Sequence, residues 1–342
     1  MDDVADHIVV HTGQNFTEEL SDIFFRELGI RPPDHNLKIR ETTFSSQFSR
    51  IVERMDSLLD TTKPDRLLIL GDTNSGLSAI LAARRGIPVY HLEAGNRNYD
   101  PRVPEEVNRR LIDHSSTVLM PYTERSKENL IREGFRRERI FVTGNPIFEV
   151  LQHYEKQVGS SDVLKRFGIE PKEYLAVTLH RSENVDEPDR LSSLMRGLGL
   201  AAARFAVPVV VSVHPRTADR IQRSGITAPN SIRLLSPLGF FDFVRLEQAA
   251  MAVLTDSGTV QEECAVFRVP CVILRDVTER PETVEFGSGV LSGADPDAIV
   301  KAVEVATHAK GRHSVPPDYT RSEVSAIVAQ IVLSYRYSGQ LY

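Results

Sequence analysis

The chain has 342 residues, of which 41% are hydrophobic and 26% are charged, and its formal net charge is -6. This length accommodates two domains, and the composition is that of a globular protein rather than a disordered or fibrous one. Acidic and basic residues are spread along the whole chain without a basic face, which argues against nucleic acid as a partner.

The N-terminal stretch MDDVADHIVVHTGQ is acidic and contains no long apolar run. It therefore predicts neither a secretory signal nor a membrane span, and we expect a cytoplasmic protein without a membrane partner. The two cysteines, Cys264 and Cys271, stand in apolar segments and are interpreted as reduced core residues. No Cys/His spacing resembles a metal site, so no metal is predicted.

Short apolar runs alternate with longer amphipathic ones in the first half of the chain, which is typical of β-α units around a parallel sheet. The predicted strands are His7–His11, Arg66–Gly71, Pro88–Leu92, Thr117–Met120 and Arg139–Val142. The predicted helices are Glu18–Leu28, Phe44–Leu59, Ser75–Arg84, Glu105–Asp113 and Glu124–Glu133. The polar segment His153–Glu173 is interpreted as a crossover between domains.

A second alternating series follows in the other half. Its predicted strands are Tyr174–Thr178, Val207–Val213, Ile232–Leu235, Ala252–Thr255 and Cys271–Leu274. Its predicted helices are Arg190–Ala203, Phe241–Ala250, Val260–Val266 and Asp295–His308. We therefore predict an α/β protein of two Rossmann-like doubly wound domains, at 1–150 and 151–320, with a central cleft. A last helix within 321–342 is expected to pack on either domain, with the N-terminal one as a candidate.

An acidic and basic stretch runs from His91 to His114 and follows an apolar strand. Glu93 stands directly at the strand end, where ligands bind in open α/β sheets. Pro104 predicts the first residue of a helix. On that helix Glu105 and Arg109 are four residues apart and share a face. The alternative is a solvated helix start in which acids interact favourably with the helix dipole.

Polar residues follow three other predicted strands. Asp72 opens a helix and is either an N-cap or a catalytic carboxylate. His180 and Arg181 follow the first strand of the second domain, and His214 follows the next one, again beside an arginine. Two histidines beyond consecutive strand ends, each with an arginine nearby, suggest a site that handles negative charge.

The segment TDSGTVQEE at 255–263 leads from a strand into a helix. Free backbone N–H groups at such a helix start, with Gly258 allowing close approach beside Ser257, can bind phosphate. Glu263, together with Glu262, is placed to reach ribose hydroxyls. Arg280 lies beyond another strand and would face the same cleft. The alternative for the whole segment is a capped helix without a ligand.

These motifs together resemble the non-hydrolysing UDP-N-acetylglucosamine 2-epimerases, in order and with matching spacing from about residue 9 to residue 293. The motifs are GDTNS at 71–75, HLEAGNR at 91–97, PEEVNRR at 104–110, GNP at 144–146, HRSEN at 180–184, HPR at 214–216, TDSGTVQEE at 255–263 and TERPE at 278–282. The resemblance implies a glycosyltransferase-B-like fold, a UDP-sugar substrate, a homodimer formed through the first domain, and no cofactor or metal.

The resemblance also implies an isomerase reaction. Anti elimination of UDP gives a 2-acetamidoglucal, and UDP adds back after C2 is reprotonated from the other face. The catalytic candidates are then Asp72, Glu93, Glu105, Arg109 and His214, with the three carboxylates as acid/base groups. The residues expected to bind the UDP-sugar are His180, Arg181, Ser257, Gly258, Glu263 and Arg280.

Three features depart from the family pattern. The family usually opens with a strand and a Gly-Thr-Arg-Pro-Glu loop, and this chain begins at what looks like the second strand. We therefore expect either a truncated start, which we favour, or a protein that lacks part of its site. TDSGT replaces the commoner TDSGG and, with HTGQNF and EAGNR, favours the branch that acts on 6-deoxy sugars. Thr17 replaces a glutamine of the allosteric UDP-GlcNAc site, so allosteric activation is not expected.

Three hypotheses for the function follow. The first is interconversion of UDP-GlcNAc and UDP-ManNAc, with UDP-2-acetamido-2,6-dideoxy-L-talose as the rival substrate of the same reaction. The second is a glycosyltransferase of the same fold, which would not require the cluster of Glu93, Glu105 and Arg109. The third is an inactive chain that binds UDP.

Overall fold

The structure is a computed structural model that describes residues 1–13, 22–41, 43–213, 215–226, 229–309 and 311–335. The chain divides into two compact units. The first comprises Met1–Pro146 with Arg321–Tyr342, and the second comprises Ile147–Thr320. Each unit is built on parallel strands with helices between them.

The described residues of the first unit form two small parallel sheets. One pairs β1 (Val10–His11) with β2 (His35–Asn36), and the other has the order β3–β4–β5. The latter strands are β3 (Leu67–Leu70), β4 (Val89–Leu92) and β5 (Val118–Met120). The helices are α1 (Asp22–Glu27), α2 (Phe44–Thr62), α3 (Ala79–Arg84), α4 (Pro104–Ser115) and α5 (Glu124–Arg132). All three strands of the second sheet were predicted within one or two residues.

Helix α2 shows why these segments fold as they do. Thr43 caps it by accepting a hydrogen bond from the Ser46 N–H, as preferred at helix N-termini. Ile51, Met55 and Leu59 recur at every fourth position and are buried in the core of the first unit. The amphipathic pattern in the sequence therefore becomes the face that covers the sheet.

The second unit contains a six-stranded parallel sheet in the order β11–β10–β9–β6–β7–β8. Its strands are β6 (Leu175–Leu179), β7 (Val209–Val213), β8 (Ile232–Leu235), β9 (Ala252–Thr255), β10 (Cys271–Ile273) and β11 (Gly289–Leu291). Its helices are α6 (Ile147–His153), α7 (Glu155–Gly159), α8 (Val163–Phe167), α9 (Ser182–Val185), α10 (Pro188–Phe205), α11 (Pro215–Arg223), α12 (Phe240–Ala249), α13 (Gly258–Phe267), α14 (Pro281–Glu285) and α15 (Pro296–His308).

The strand order of this sheet reverses beside β6, which has β7 on one side and β9 on the other. Such a switch point opens a crevice beyond the carboxyl ends of the strands, where ligands bind in doubly wound folds. The loops that follow β6 and β9 are therefore the expected position of a ligand site in this unit.

Two predicted elements are wrong. Arg139–Val142 forms only one bridge, between Leu119 and Ile140, because Pro121 follows β5 and has no N–H to continue the ladder. The proposed crossover His153–Glu173 instead holds helices α7 and α8 of the second unit, where Val158 and Val163 are buried. The helices were not predicted because the segment is mostly polar and its few apolar residues are widely spaced.

Other differences concern short elements. The strands β2 and β11 and the helices α6, α9, α11 and α14 were not predicted. The predicted helix Glu18–Leu28 begins outside the described residues and is observed as α1. The predicted helix start at Ser75 is a 3₁₀ turn, Asn74–Ser78, that leads into α3.

The last helix, α16 (Val324–Ser334), belongs to the first unit. Its residues Val324, Val328 and Val332 pack in the same apolar cluster as Tyr90 and Met120 of the sheet. Cys264 and Cys271 are both buried and free, as expected. Among the residues described here, we find no helix with the length and apolar character needed to cross a membrane.

Candidate active site

The turn after β4 carries Glu93, which has a φ of 75°. This left-handed conformation is rare for a residue other than glycine. Its backbone N–H donates to the Met120 carbonyl at 3.0 Å, and its Oε1 accepts a hydrogen bond from Asn96 Nδ2 at 3.1 Å. The carboxylate is half-buried and is held in a defined position at the end of the strand.

Asp72 lies on the neighbouring turn, after β3, and its carboxylate forms an ion pair with Arg109. Asp72 Oδ2 lies 2.6 Å from Arg109 Nη2, and the arginine side chain is buried. Asn108 Nδ2 donates to the Asp72 carbonyl at 2.9 Å, so α4 supports this turn twice. A Cβ atom at Gly71 would lie 3.2 Å from Glu93 Oε2, which shows that the two acidic turns adjoin.

Helix α4 begins at Pro104, as the sequence predicts, and carries two acids in its first turn. Glu105 is half-buried and stands one turn before Arg109 on the same helix. Glu106 is the buried acid: it accepts the Asn98 N–H at 3.0 Å and lies 3.5 Å from Arg109 Nη1. The structure therefore joins Arg109 to Asp72 and Glu106, and sequence reasoning did not single out Glu106 as a site residue.

In the second unit, Asp256 connects the loop after β9 to the loop after β6 by hydrogen bonds. Its side chain is fully buried and accepts the N–H groups of His180 and Arg181 and the Nδ2 of Asn184, at 3.0 to 3.2 Å. His180 Nδ1 also lies 3.2 Å from Asp256 Oδ1. Burial lowers the pKa of His180 although Asp256 opposes the shift, so the ring is neutral at neutral pH. Sequence reasoning did not single out Asp256.

The start of α13 has the form of an anion site. Ser257 is its N-cap and Gly258 its first residue. The first N–H groups of a ten-residue helix have no partner within the helix, and the helix dipole favours negative charge there. A Cβ atom at Gly258 would lie 3.1 Å from Glu279 Oε1, so glycine allows a close approach at this point.

Three arginines gather beside this helix start. Arg181 Nη2 lies 3.3 Å from Glu279 Oε1, and the buried Arg275 donates through Nη1 to Glu279 Oε2 at 2.6 Å. Arg280 forms an ion pair with Glu262 on α13. The predicted residues Arg181, Gly258 and Arg280 are therefore neighbours, and Glu279 links them.

Glu263 is buried on α13 rather than presented at the surface. Burial raises its pKa from an ordinary value of 4.5 to about 8. Burial, together with the neighbouring Glu263, also raises the pKa of the fully buried Glu247 on α12 well above the usual range. The two carboxyl groups therefore titrate as a pair. Their protonated forms are the ones that the fold stabilises.

This pair predicts a pH-dependent stability. Between about pH 4.5 and about pH 8 the folded chain holds protons that the unfolded chain releases, so the free energy of unfolding falls as pH rises. We expect Glu247→Gln to flatten this fall and to be more stable than the parent chain above pH 8. Urea unfolding across this pH range measures the effect, and the exposed Glu173→Gln is the control. An equal slope in both variants would contradict the assignment.

Two predicted positions, His214 and Thr17, lie outside the residues that the structure describes. In the described residues, no group of three or more His, Cys, Asp or Glu side chains could hold a metal ion.

Comparison with known proteins places the chain in a family. The sequence profile described as UDP-N-acetylglucosamine 2-epimerase matches residues 2–333. The UDP-N-acetylglucosamine 2-epimerase of Methanocaldococcus jannaschii is 38% identical over 310 residues, 88% of this chain and 85% of that protein. The UDP-2,3-diacetamido-2,3-dideoxy-D-glucuronate 2-epimerase of Pseudomonas aeruginosa is also 38% identical, over 86% of this chain and 82% of that protein.

A solved structure agrees with these relatives. The crystal structure of the Methanocaldococcus jannaschii UDP-GlcNAc 2-epimerase in complex with UDP-GlcNAc and UDP matches with a TM-score of 0.90 and 36% identity, over 94% of this chain and 90% of that chain. The chain is thus an α/β isomerase of the glycosyltransferase-B-like fold class, and the predicted fold class and enzyme class are confirmed. It belongs to the UDP-N-acetylglucosamine 2-epimerase family, as its motifs indicate.

Proposed function

We propose that this chain interconverts UDP-GlcNAc and UDP-ManNAc without hydrolysis. A base removes the proton from C2 while the bond between C1 and the UDP oxygen breaks, which gives UDP and 2-acetamidoglucal. A proton then returns to C2 from the opposite face, and UDP adds back at C1. The bonds that break are the bonds that form again, so the reaction needs no oxidant or reductant.

The observation that carries this proposal is the cluster of Asp72, Glu93 and Arg109. The reaction needs two protein groups that exchange protons with opposite faces of C2, and two carboxylates on adjoining turns meet this need. Arg109 orients Asp72 through their ion pair, and the Asn96 amide orients Glu93 by donating a hydrogen bond to it. Glu105, one turn before Arg109 on α4, completes the proposed acid/base group.

We assign UDP binding to the second unit. The start of α13 at Ser257 and Gly258 would hold the diphosphate, with Arg181 and Arg280 supplying positive charge that also stabilises the departing UDP. His180 lies on the same loop as Arg181. In the same proposal His214 serves the leaving group, and Glu263 binds the ribose.

The relatives of this chain differ in the sugar of the UDP-sugar substrate that they are named for. Relatives that bear the names of two different UDP-sugar epimerases are equally similar to this chain at 38% identity. Thr259, which stands where the commoner TDSGG motif has its last glycine, supports the 6-deoxy substrate instead. We also propose, from the resemblance to the family, a homodimer and, from the two free cysteines, a cytoplasmic location.

A substrate panel tests this proposal. Equal concentrations of UDP-GlcNAc, UDP-2-acetamido-2,6-dideoxy-L-talose and UDP-2,3-diacetamido-2,3-dideoxy-D-glucuronate are incubated with the chain in D2O and followed by proton NMR. We expect the fastest appearance of a C2 epimer with UDP-GlcNAc. Faster conversion of another sugar would reassign the substrate. Tight UDP binding without conversion of any of them would refute the proposed activity and support the inactive chain.

A further inference from the structure

A fully buried ionic cluster lies directly behind the two acidic turns of the first unit. His91, the third residue of β4, and Asp113, near the end of α4, are both completely buried. His91 Nδ1 lies 2.7 Å from Asp113 Oδ1, and His91 Nε2 lies 2.9 Å from the Gly71 carbonyl oxygen. Buried polar groups are costly unless they are hydrogen-bonded, and this pair has partners on every side.

The acceptors around the ring determine its protonation. A carbonyl oxygen has no proton to give, so Nε2 of His91 carries a hydrogen towards Gly71. Asp113 also receives the Gly95 N–H at 3.2 Å and Arg97 Nη2 at 2.7 Å, as expected of a carboxylate. Nδ1 of His91 therefore carries a hydrogen as well, and the ring is an imidazolium. Burial lowers the pKa of His91, but the contacts with Asp113 outweigh burial and the pKa is raised.

The hydrogen bonds of this cluster reach both turns that carry the proposed catalytic carboxylates. Gly71, bonded to His91, immediately precedes Asp72. Gly95, bonded to Asp113, closes the turn that begins with Glu93. A chain of contacts thus runs from one carboxylate-bearing turn through the buried pair to the other.

The backbone of Glu93 shows why such support is needed. A φ of 75° is maintained at a residue other than glycine only where the surroundings hold it. The bond from Gly95 to Asp113 fixes the far side of this turn. Arg97 extends the support outward, because it pairs with Asp113 and also donates to Glu133 at 2.7 and 2.9 Å.

We infer that His91 is a positioning residue for the epimerisation, acting as an imidazolium that fixes the Asp72 turn to the Glu93 turn through Asp113. This inference rests on the proposed function, since it assigns the distance between two catalytic carboxylates to a residue that touches no substrate. Proton transfer at C2 depends on that distance, whereas UDP binding, which we assign to the second unit, does not.

Two substitutions separate the two bonds of the ring. An asparagine amide nitrogen can replace Nδ1 but not Nε2, so His91→Asn retains the bond to Asp113 and loses the bond to Gly71. A glutamine amide nitrogen can replace Nε2 but not Nδ1, so His91→Gln retains the bond to Gly71 and loses the bond to Asp113. Because misplacement by an ångström costs about 100-fold in rate, we expect deuterium exchange at C2 to slow by about that factor in both variants. The Kd for UDP, measured by calorimetry, is expected to be unchanged.

The control is His114→Asn, which makes the same chemical change next to Asp113 at an exposed position and is expected to exchange at the parent rate. A second readout reports on protonation alone. With 15N-labelled histidine, one ring should show both nitrogens protonated at a pH above the ordinary histidine pKa. That signal should be absent from both His91 variants.

The outcomes are distinct. Parent exchange rates in folded His91→Asn and His91→Gln, or a His91 ring with only one protonated nitrogen, would overturn the inference. If neither variant folds, Glu133→Ala weakens the cluster from its more exposed end, and slower exchange with unchanged UDP affinity is expected. An unchanged rate of deuterium exchange in Glu133→Ala would overturn the inference. No exchange by the parent chain would refute the proposed function, and the labelled ring would still test the imidazolium.

Discussion

Replacement of Glu93 by glutamine is expected to slow deuterium exchange at C2 by a factor on the order of 10³, within the range that general acid-base catalysis contributes. Glutamine has nearly the same shape and can still accept the hydrogen bond from Asn96, but it cannot take up or return a proton. The Kd for UDP should stay at the parent value. Proton NMR in D2O measures the exchange, and calorimetry measures the binding.

The matched control is Glu128→Gln, an exposed position on α5 whose carboxylate lies 3.7 Å from Arg132. It makes the same change of charge at the surface and should leave the exchange rate unaltered. If Glu93→Gln exchanges as fast as the control, another group moves the proton, and Asp72→Asn becomes the next variant to measure.

Asp256→Ala is expected to reduce the free energy of unfolding of the second unit by about 3–5 kcal/mol, because it leaves buried donors without an acceptor. The N–H groups of His180 and Arg181 lose this acceptor, and the amide of Asn184 retains its hydrogen bond to the Leu274 carbonyl. Since these residues form the loop beside α13, UDP binding should be lost as well. Urea unfolding and UDP calorimetry measure the two effects separately.

Asp219→Ala on α11 is the control for this variant. Its partly exposed carboxylate pairs with Arg223 at 2.8 Å, so its removal should change stability by no more than about 0.5 kcal/mol. Asp256→Ala with parent stability and parent UDP affinity would show that the two loops of the switch point are organised by other contacts.

The sequence predicts the larger elements of this fold because buried parallel strands are continuous apolar runs. Leu175–Leu179 and Val209–Val213 are examples, and every residue of the first is buried. The two-residue strand β2 could not be predicted in this way. Its pairing with β1 depends on a partner 25 residues away in the chain, and its own residues are exposed.

The candidate site was predictable where it depends on strand ends. Asp72 and Glu93 follow neighbouring parallel strands, so their proximity follows from the topology. The ion-pair partner of Arg109 could not be predicted from the sequence. Spacing along the helix points to Glu105, but it cannot show that Asp72 approaches Arg109 from another turn. The role of His91 could not be predicted, because its neighbours in the sequence indicate only an apolar strand. They do not indicate a contact with a carboxylate 22 residues further along the chain.

The most direct test of the proposed chemistry is incubation of the chain with UDP-GlcNAc in D2O, followed by NMR of both C2 epimers. Elimination and re-addition predict that UDP-ManNAc appears with deuterium at C2, that recovered UDP-GlcNAc gains deuterium as well, and that 2-acetamidoglucal and UDP accumulate slowly. UDP-ManNAc that retains hydrogen at C2, or free ManNAc as the main product, would contradict the proposed mechanism.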